Sequence, residues 1–245
     1  GRLRKGLTLA TEHLEQLAVS GVHRVTVAEL EAGDVEENEA ARRLGEALLS
    51  GSTGLRTSTA ATGRVNIIAT GAGVALLDVE RLAALNSVHP MITLASVPAY
   101  HQTHKDSLVG TVKIISYAVP ERDLQKACAL AQQAMRLAEP QRKSVSLIIT
   151  QLQEGHDESK AVAATKNRVT VLDSTLIEVM TCAHNTADLT RTIGTAMGDV
   201  VLILTASATS DPQDVAPAAL IAAGGSLIRF GMPVDPGNLL FIGNL

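Results

Sequence analysis

The stretch GDVVLILTASATSDPQDVAPAALIAAGG, Gly198 to Gly225, decides how this chain is read. Val200 to Leu204 is an unbroken apolar run, which predicts a strand buried on both faces. The small and hydroxylated residues Thr205, Ala206, Ser207, Ala208, Thr209 and Ser210 follow and leave room for a ligand to approach the backbone. Asp211-Pro212 then predicts a helix start, with Asp211 as the cap and Pro212 at the first helical position. Ala216 to Ala223 supplies the helix, and Gly224-Gly225 ends it. A strand that leads through a small-residue loop into a helix N-terminus can hold an anion, because free N–H groups and the helix dipole converge there. The same pattern also suits an ordinary strand-loop-helix unit that binds nothing.

With 245 residues the chain is long enough for two compact domains, each with its own core. Its content of 46% hydrophobic and 19% charged residues is that of a globular protein. A formal net charge of −4 argues against the basic face that a general nucleic-acid binder needs. With 2% aromatic residues and no Trp, base-stacking platforms are almost excluded as well. No apolar run reaches transmembrane length and no signal peptide is recognisable, so no membrane partner is expected. Cys128 and Cys182 are too few and too far apart for a disulfide framework or a zinc cluster, and they read as buried thiols of a reducing cytoplasm. The chain begins at Gly1 without a Met and stops at Leu245 after an apolar run, so both ends are expected to be cut or disordered, with room for a further signal or domain.

Leu9 to Val19 has helical spacing, and His23 to Leu30 alternates like a strand. The acidic run Asp34, Glu36, Glu37 opens a helix through Leu49, where carboxylates favour the dipole; a solvated helix start is preferred to a metal site. Arg64 to Ala69 reads as a strand, followed by Gly71-Ala72-Gly73, but Leu76 stands where a dinucleotide fingerprint needs its third glycine. Asp78 caps a short helix from Val79, Met91 to Val97 and Leu108 to Val119 are strands, and Glu121 to Leu137 is a helix. His101 and His104 lack a third ligand nearby and read as a surface loop. The polar stretch Glu139 to Lys143 marks a boundary between a mixed α+β region, 1–143, and an α/β domain, 144–245. In the latter, strands at Val145–Thr150, Leu176–Cys182 and Val200–Leu204 alternate with helices at Ala161–Val171, where Val169-Thr170-Val171 also suits a strand, and Thr186–Met197, and strands at 227–232 and 239–242 follow. This alternation predicts a three-layer α/β/α sandwich whose ligand lies beyond the strands' carboxyl ends, where the loops after Thr150, Cys182 and Thr205 gather.

DVVLILTASATSDPQDVAPAA and FGMPVDPGNLLFIG resemble the molybdopterin-binding domain shared by molybdopterin adenylyltransferases and molybdenum-inserting enzymes, over roughly Ser144 to Leu245. GRLRKG, GDVEENEAARRL and TGRVN resemble what precedes this domain in a divergent bacterial subgroup, some members of which carry a nucleotidyltransferase domain further along. The resemblance implies a cytoplasmic role in molybdenum cofactor biosynthesis: binding of molybdopterin or a nucleotide-linked form of it, possible Mg²⁺, and either a transferase (adenylyl transfer or molybdenum insertion) or a carrier without chemistry. A non-catalytic interaction or regulatory module that keeps the fold without the ligand is the alternative. The expected partners are a small-molecule pterin and, as open options, a homo-oligomeric copy and a nucleotidyltransferase domain or partner.

Residue by residue, Asp214 falls on the family's motif aspartate, within Gln213-Asp214-Val215-Ala216-Pro217-Ala218, but the motif's Arg and Glu are absent. A second family aspartate falls on His184-Asn185, with Asn185 as its equivalent, and an amide cannot give Mg²⁺ the charge of a carboxylate. Asp235-Pro236-Gly237-Asn238 matches a Pro-Gly-Lys-Pro turn in which Asn238 replaces the lysine. The expected cofactor-binding set is therefore Thr205, Ser207, Thr209, Ser210, Asp211, Asp214, Asn185, Asp235 and Gly237, with no metal site. Asp214 is the best catalytic candidate, although binding is favoured over catalysis. Lys160, Lys166, Arg168 and Arg229 are the candidate counter-charges for a phosphate.

Overall fold

A computed structural model of the chain describes residues 7–153, 155 and 157–245. The GRLRKG motif lies outside the described residues, as do Glu154 and His156 of the polar loop after Gln151. The protein is mixed α/β, with seven helices among the described residues and several sheets, one of them parallel. It divides into two compact units, Gly1–Glu139 and Pro140–Leu245. No helix among the described residues is long and apolar enough to cross a membrane.

The first unit runs α1 (Thr11–Val19), β1 (Asp34–Glu36), α2 (Glu37–Leu49), β2 (Leu55–Thr57), β3 (Arg64–Ala69), β4 (Gly73–Leu77), α3 (Val79–Asn86), β5 (Ile92–Ser96), β6 (Gln102–Thr103), β7 (Leu108–Ile114), β8 (Ala118–Pro120), α4 (Glu121–Ala131) and β9 (Met135–Ala138). An antiparallel sheet in the order β2-β3-β7-β5 buries Val65, Ile67, Val112, Ile114 and Ile92 in the same core as Leu44 and Leu48 of α2 and Leu124 of α4. A second sheet has the order β6-β4-β9. The Glu36 carboxylate accepts N–H bonds from Asn38 and Glu39, so the acidic run is a capped helix start.

Three readings are corrected in this unit. His23 to Leu30 is not a strand: Val25, Val27 and Leu30 are exposed and pair with no strand among the described residues, and alternation without a partner strand buries no face. The helix from Glu121 stops at Ala131, because Gln133 takes a left-handed φ of 58° and turns the chain into β9, which pairs with β4. Gly73, read as the end of a G-x-G loop, instead begins β4, and a Cβ there would lie 2.7 Å from the Ala138 carbonyl oxygen.

Arg43 of α2 grips Glu121 of α4 through two bonds of 2.7 Å, and Gln125 Nε2 donates to the same carboxylate. The Arg43 guanidinium, with help from Gln125, holds the Glu121 carboxyl down at about 2. A depressed folded-state value stabilises the fold above the unfolded value of roughly 4.3, and that stabilisation is lost as the pH falls toward 2. Urea unfolding of wild type and Glu121→Gln between about pH 5 and 2 should therefore show a shallower acid dependence in the variant. Superimposable pH profiles would remove Glu121 from the acid response.

The second unit runs β10 (Ser144–Gln151), α5 (Ser159–Val171), β11 (Thr175–Ala183), α6 (Thr186–Ile193), β12 (Val200–Leu204), α7 (Val215–Ala222), β13 (Ser226–Phe230) and β14 (Phe241–Asn244). Strands β11, β10 and β12 form a parallel sheet in that order, and β13 pairs with β14 as a separate antiparallel ribbon. The strand buried on both faces is thus β10, where Val145 to Thr150 are all buried, and not β12. β12 lies at an edge with Leu202 and Leu204 exposed. An apolar run marks a strand but does not say which strand is central. Ile148 at the middle of β10 packs with Leu189 and Ile193 of α6 and Ala216 and Ala219 of α7.

Candidate functional site at the carboxyl edge of the parallel sheet

Parallel register sets the site. Thr150 near the end of β10 pairs with Cys182 of β11, and Ile149 pairs with Leu204 of β12, so three strand ends and their loops meet at one edge. His184 is the first residue after β11, and its N–H is fixed by the Gln151 carbonyl at 2.8 Å. Its Nδ1 lies 2.8 Å from Thr150 Oγ1, and its Nε2 lies 2.8 Å from Ser207 Oγ in the loop after β12. Thr150 Oγ1 also accepts the Ala206 N–H at 2.9 Å. Thr150 is almost fully buried, His184 half-buried and Ser207 exposed, so the chain of bonds leads from the sheet outward.

Proton positions decide what this arrangement can do. When the Thr150 hydroxyl donates to Nδ1, Nε2 carries the imidazole proton and donates to Ser207 Oγ. The Ser207 O–H is then left to donate to a ligand. In the opposite tautomer Nδ1–H donates to Thr150, and Nε2 can accept the Ser207 proton as a general base. That second mode would create an imidazolium, and the partner at Nδ1 is a neutral hydroxyl where a catalytic triad places a carboxylate. The site is better built to present hydrogen-bond donors than to generate an alkoxide.

The rest of the loop supports that use. Thr205 Oγ1 donates to the Ser207 carbonyl at 2.7 Å and lies 3.5 Å from Thr209 Oγ1, which stiffens the 205–209 turn. Among the described residues, the backbone N–H groups of Ser207, Ala208 and Thr209 make no hydrogen bond to the protein. Thr205 to Thr209 line one end of a cleft of about 1440 Å³. Hydroxyls and consecutive N–H groups at such an edge suit a phosphate or carboxylate oxygen.

The other expected residues lie elsewhere or are already engaged. Asp214 Oδ2 accepts the N–H groups of Ser210 (2.7 Å) and Asp211 (3.0 Å), and Asp211 Oδ1 accepts that of Gln213. These bonds fold 210–214 into a compact turn, so the helix starts at Val215 with Asp214 as its N-cap residue, and the Asp211-Pro212 start is corrected. Pro217 fits the third helical position, where no intrahelical N–H bond is formed. Asn185 caps α6, with Oδ1 accepting the Asp188 N–H at 2.9 Å and Nδ2 donating to Asp188 Oδ2 at 2.7 Å. Asp188 brings a carboxylate close to the position that Asn185 leaves uncharged, but Arg191 pairs with it.

Asp235 and Gly237 lie in the exposed turn between β13 and β14, where Gly237 has a φ of 111° and Asn238 accepts the Met232 N–H. Among the described residues no hydrogen bond joins that turn to the 205–214 loop. Of the candidate cations, Arg168 lines the cleft, Arg229 donates to the Gly231 carbonyl, and Lys160 and Lys166 are exposed on α5. Cys128 and Cys182 are half-buried rather than fully buried, and burial pushes both thiols up. Among the described residues no group of three or more His, Cys, Asp or Glu side chains could hold a metal ion.

The sequence singled out Ser207 but not its link to Thr150 and His184. The available signal was positional, since all three sit at or just beyond the ends of consecutive parallel strands. Compared with known proteins, the chain matches no protein-family model and no curated protein.

Proposed function

We propose that the Pro140–Leu245 unit is a three-layer molybdopterin-binding sandwich that binds molybdopterin, or a nucleotide-linked form of it, in cytoplasmic molybdenum cofactor biosynthesis, without catalysing adenylyl transfer. The observation that carries this reading is the Thr150–His184–Ser207 chain at the carboxyl edge of the parallel sheet. It presents a hydroxyl beside the N–H groups of residues 207–209 to the terminal phosphate of such a ligand. The resemblance of roughly Ser144 to Leu245 to the molybdopterin-binding family supplies the pterin. Against catalysis stand Asn185 in place of an aspartate, the engagement of Asp214 with its own loop, and the neutral partner of His184.

Fluorescence titration with molybdopterin tests this. Saturable binding is expected, with Ser207→Ala weaker by roughly 2- to 10-fold, the cost of one neutral hydrogen bond. Since the Asp214 carboxylate is spent on backbone N–H groups, EDTA should leave the wild-type affinity unchanged. An absence of binding sinks the reading. Pyrophosphate release from ATP, Mg²⁺ and molybdopterin at about 1 s⁻¹ or faster would replace the carrier by an enzyme.

A further inference from the structure

The cleft that begins at Thr205–Thr209 runs the length of β12 to Gly198, Arg142 and Arg168. At about 1440 Å³ it exceeds the roughly 300–1,000 Å³ that holds a small ligand. A pterin at the hydroxyl end leaves most of it unfilled. Both long walls are strand edges. Among the described residues β12 pairs with β10 on one side only and β14 with β13 on one side only, and both strands line the cleft.

Edge strands are normally guarded by a charge, a proline or a bulge. Val200-Val201-Leu202-Ile203-Leu204 carries no charge and no proline, and its register against β10 is unbroken. Leu202, Leu204, Leu240 and Ile242 are exposed along the walls. The far end is positive. Asp199, the one acidic side chain among the described lining residues, accepts bonds at its carboxylate from Lys143 N, Ser144 N and Ser144 Oγ, while Arg142 Nη1 donates to the Asp199 carbonyl at 3.3 Å, so among the described residues Arg168 is the guanidinium left without a carboxylate.

We propose that this cleft docks an extended segment of a partner protein, which adds to the free edge of β12 as a further strand. That segment is apolar along its length and carries carboxylates at the end that meets Arg142 and Arg168. Five residues in extended form span about 17 Å, the length of β12. Main-chain bonds would supply affinity, the leucine-lined walls would take alternate side chains, and the arginines would fix the direction. The proposal is independent of the pterin.

Fluorescein-labelled heptapeptides test it: Glu-Glu followed by Φ-Thr-Φ-Thr-Φ, with Φ as Val, Ile or Leu, together with the reversed sequences. The full protein should bind at least one of these saturably, seen as a rise in anisotropy. Methylating alternate backbone amides, or exchanging the Glu pair for Lys, should weaken binding about tenfold or more. Deuterium exchange of the Val200–Leu204 amides should slow about tenfold on binding. Arg168→Glu, an exposed change that spares the core, should weaken the Glu-ended peptide about tenfold. No binding by any Glu-ended peptide at about 1 mM overturns the proposal, as does binding indifferent to amide methylation. Protection of β12 in the free protein together with a dimer in sedimentation would also overturn it, by assigning the edge to a second copy.

Discussion

Thr150→Val is expected to cost about 1–3 kcal/mol of stability and about tenfold or more of molybdopterin affinity. The substitution nearly keeps the shape of the side chain and suits a strand, so packing hardly changes. What it removes is one buried hydroxyl on which two loops depend. The Ala206 N–H loses its acceptor, and Nδ1 of His184 loses its partner. Ala206 is exposed and His184 half-buried, so water compensates part of the loss and the cost falls at the low end of that range. Affinity falls for a second reason: with Nδ1 unpaired, the imidazole is free to rotate and to exchange tautomers, so Nε2 no longer holds Ser207 Oγ in one place.

Thr150→Ser separates these effects. It keeps the oxygen and loses only a methyl group, so affinity should stay within about threefold of wild type while stability falls modestly. Denaturant unfolding and fluorescence titration of the two variants decide the matter. If Thr150→Val unfolds within about 0.5 kcal/mol of wild type and binds as tightly, the hydroxyl relay contributes neither order nor recognition.

The elements that positioned this site were legible because they are strongly patterned. The apolar runs at 145–150, 176–182 and 200–204 all became parallel strands, bounded within one or two residues of the expectation. Their ranking was not legible. Val200 to Leu204 is the more apolar run, yet Ser146 and Thr150 belong to the central strand, because hydrogen bonds satisfy their hydroxyls inside the sheet. A buried hydroxyl with partners from both neighbouring loops is a property of register, and single-strand patterning carries no register. The same limit hid His184. Its role needs Thr150 and Ser207 beside it, across 34 and 23 residues of sequence. In the first unit, by contrast, His23 to Leu30 had a strand's alternation and no partner, which shows that alternation is necessary to a half-buried strand without being sufficient.

Ile148→Ala carries the largest expected effect, about 2–5 kcal/mol from a total that is typically 5–15 kcal/mol. Ile148 is completely buried at the middle of β10, with Met180 of β11 and Ile203 of β12 as its register partners. The same face is closed by Leu189 and Ile193 of α6 and by Ala216 and Ala219 of α7. The cavity would collapse poorly: a three-stranded sheet holds one side, and the alanines of α7 have no longer side chain to swing inward. Ile148→Val, which removes one methyl group, should cost only about 0.5–1.5 kcal/mol and calibrate the series. The loss reaches the site because Thr150 follows two residues later on the same face, and α6 and α7 lead from the loops that hold His184 and Ser207. Deuterium exchange should therefore quicken in β10 and in the 205–209 loop together, and molybdopterin affinity should fall along with stability. If the alanine variant loses less than about 1 kcal/mol, Ile148 is not the centre of this unit's core, and the rigidity attributed to the strand ends must come from elsewhere.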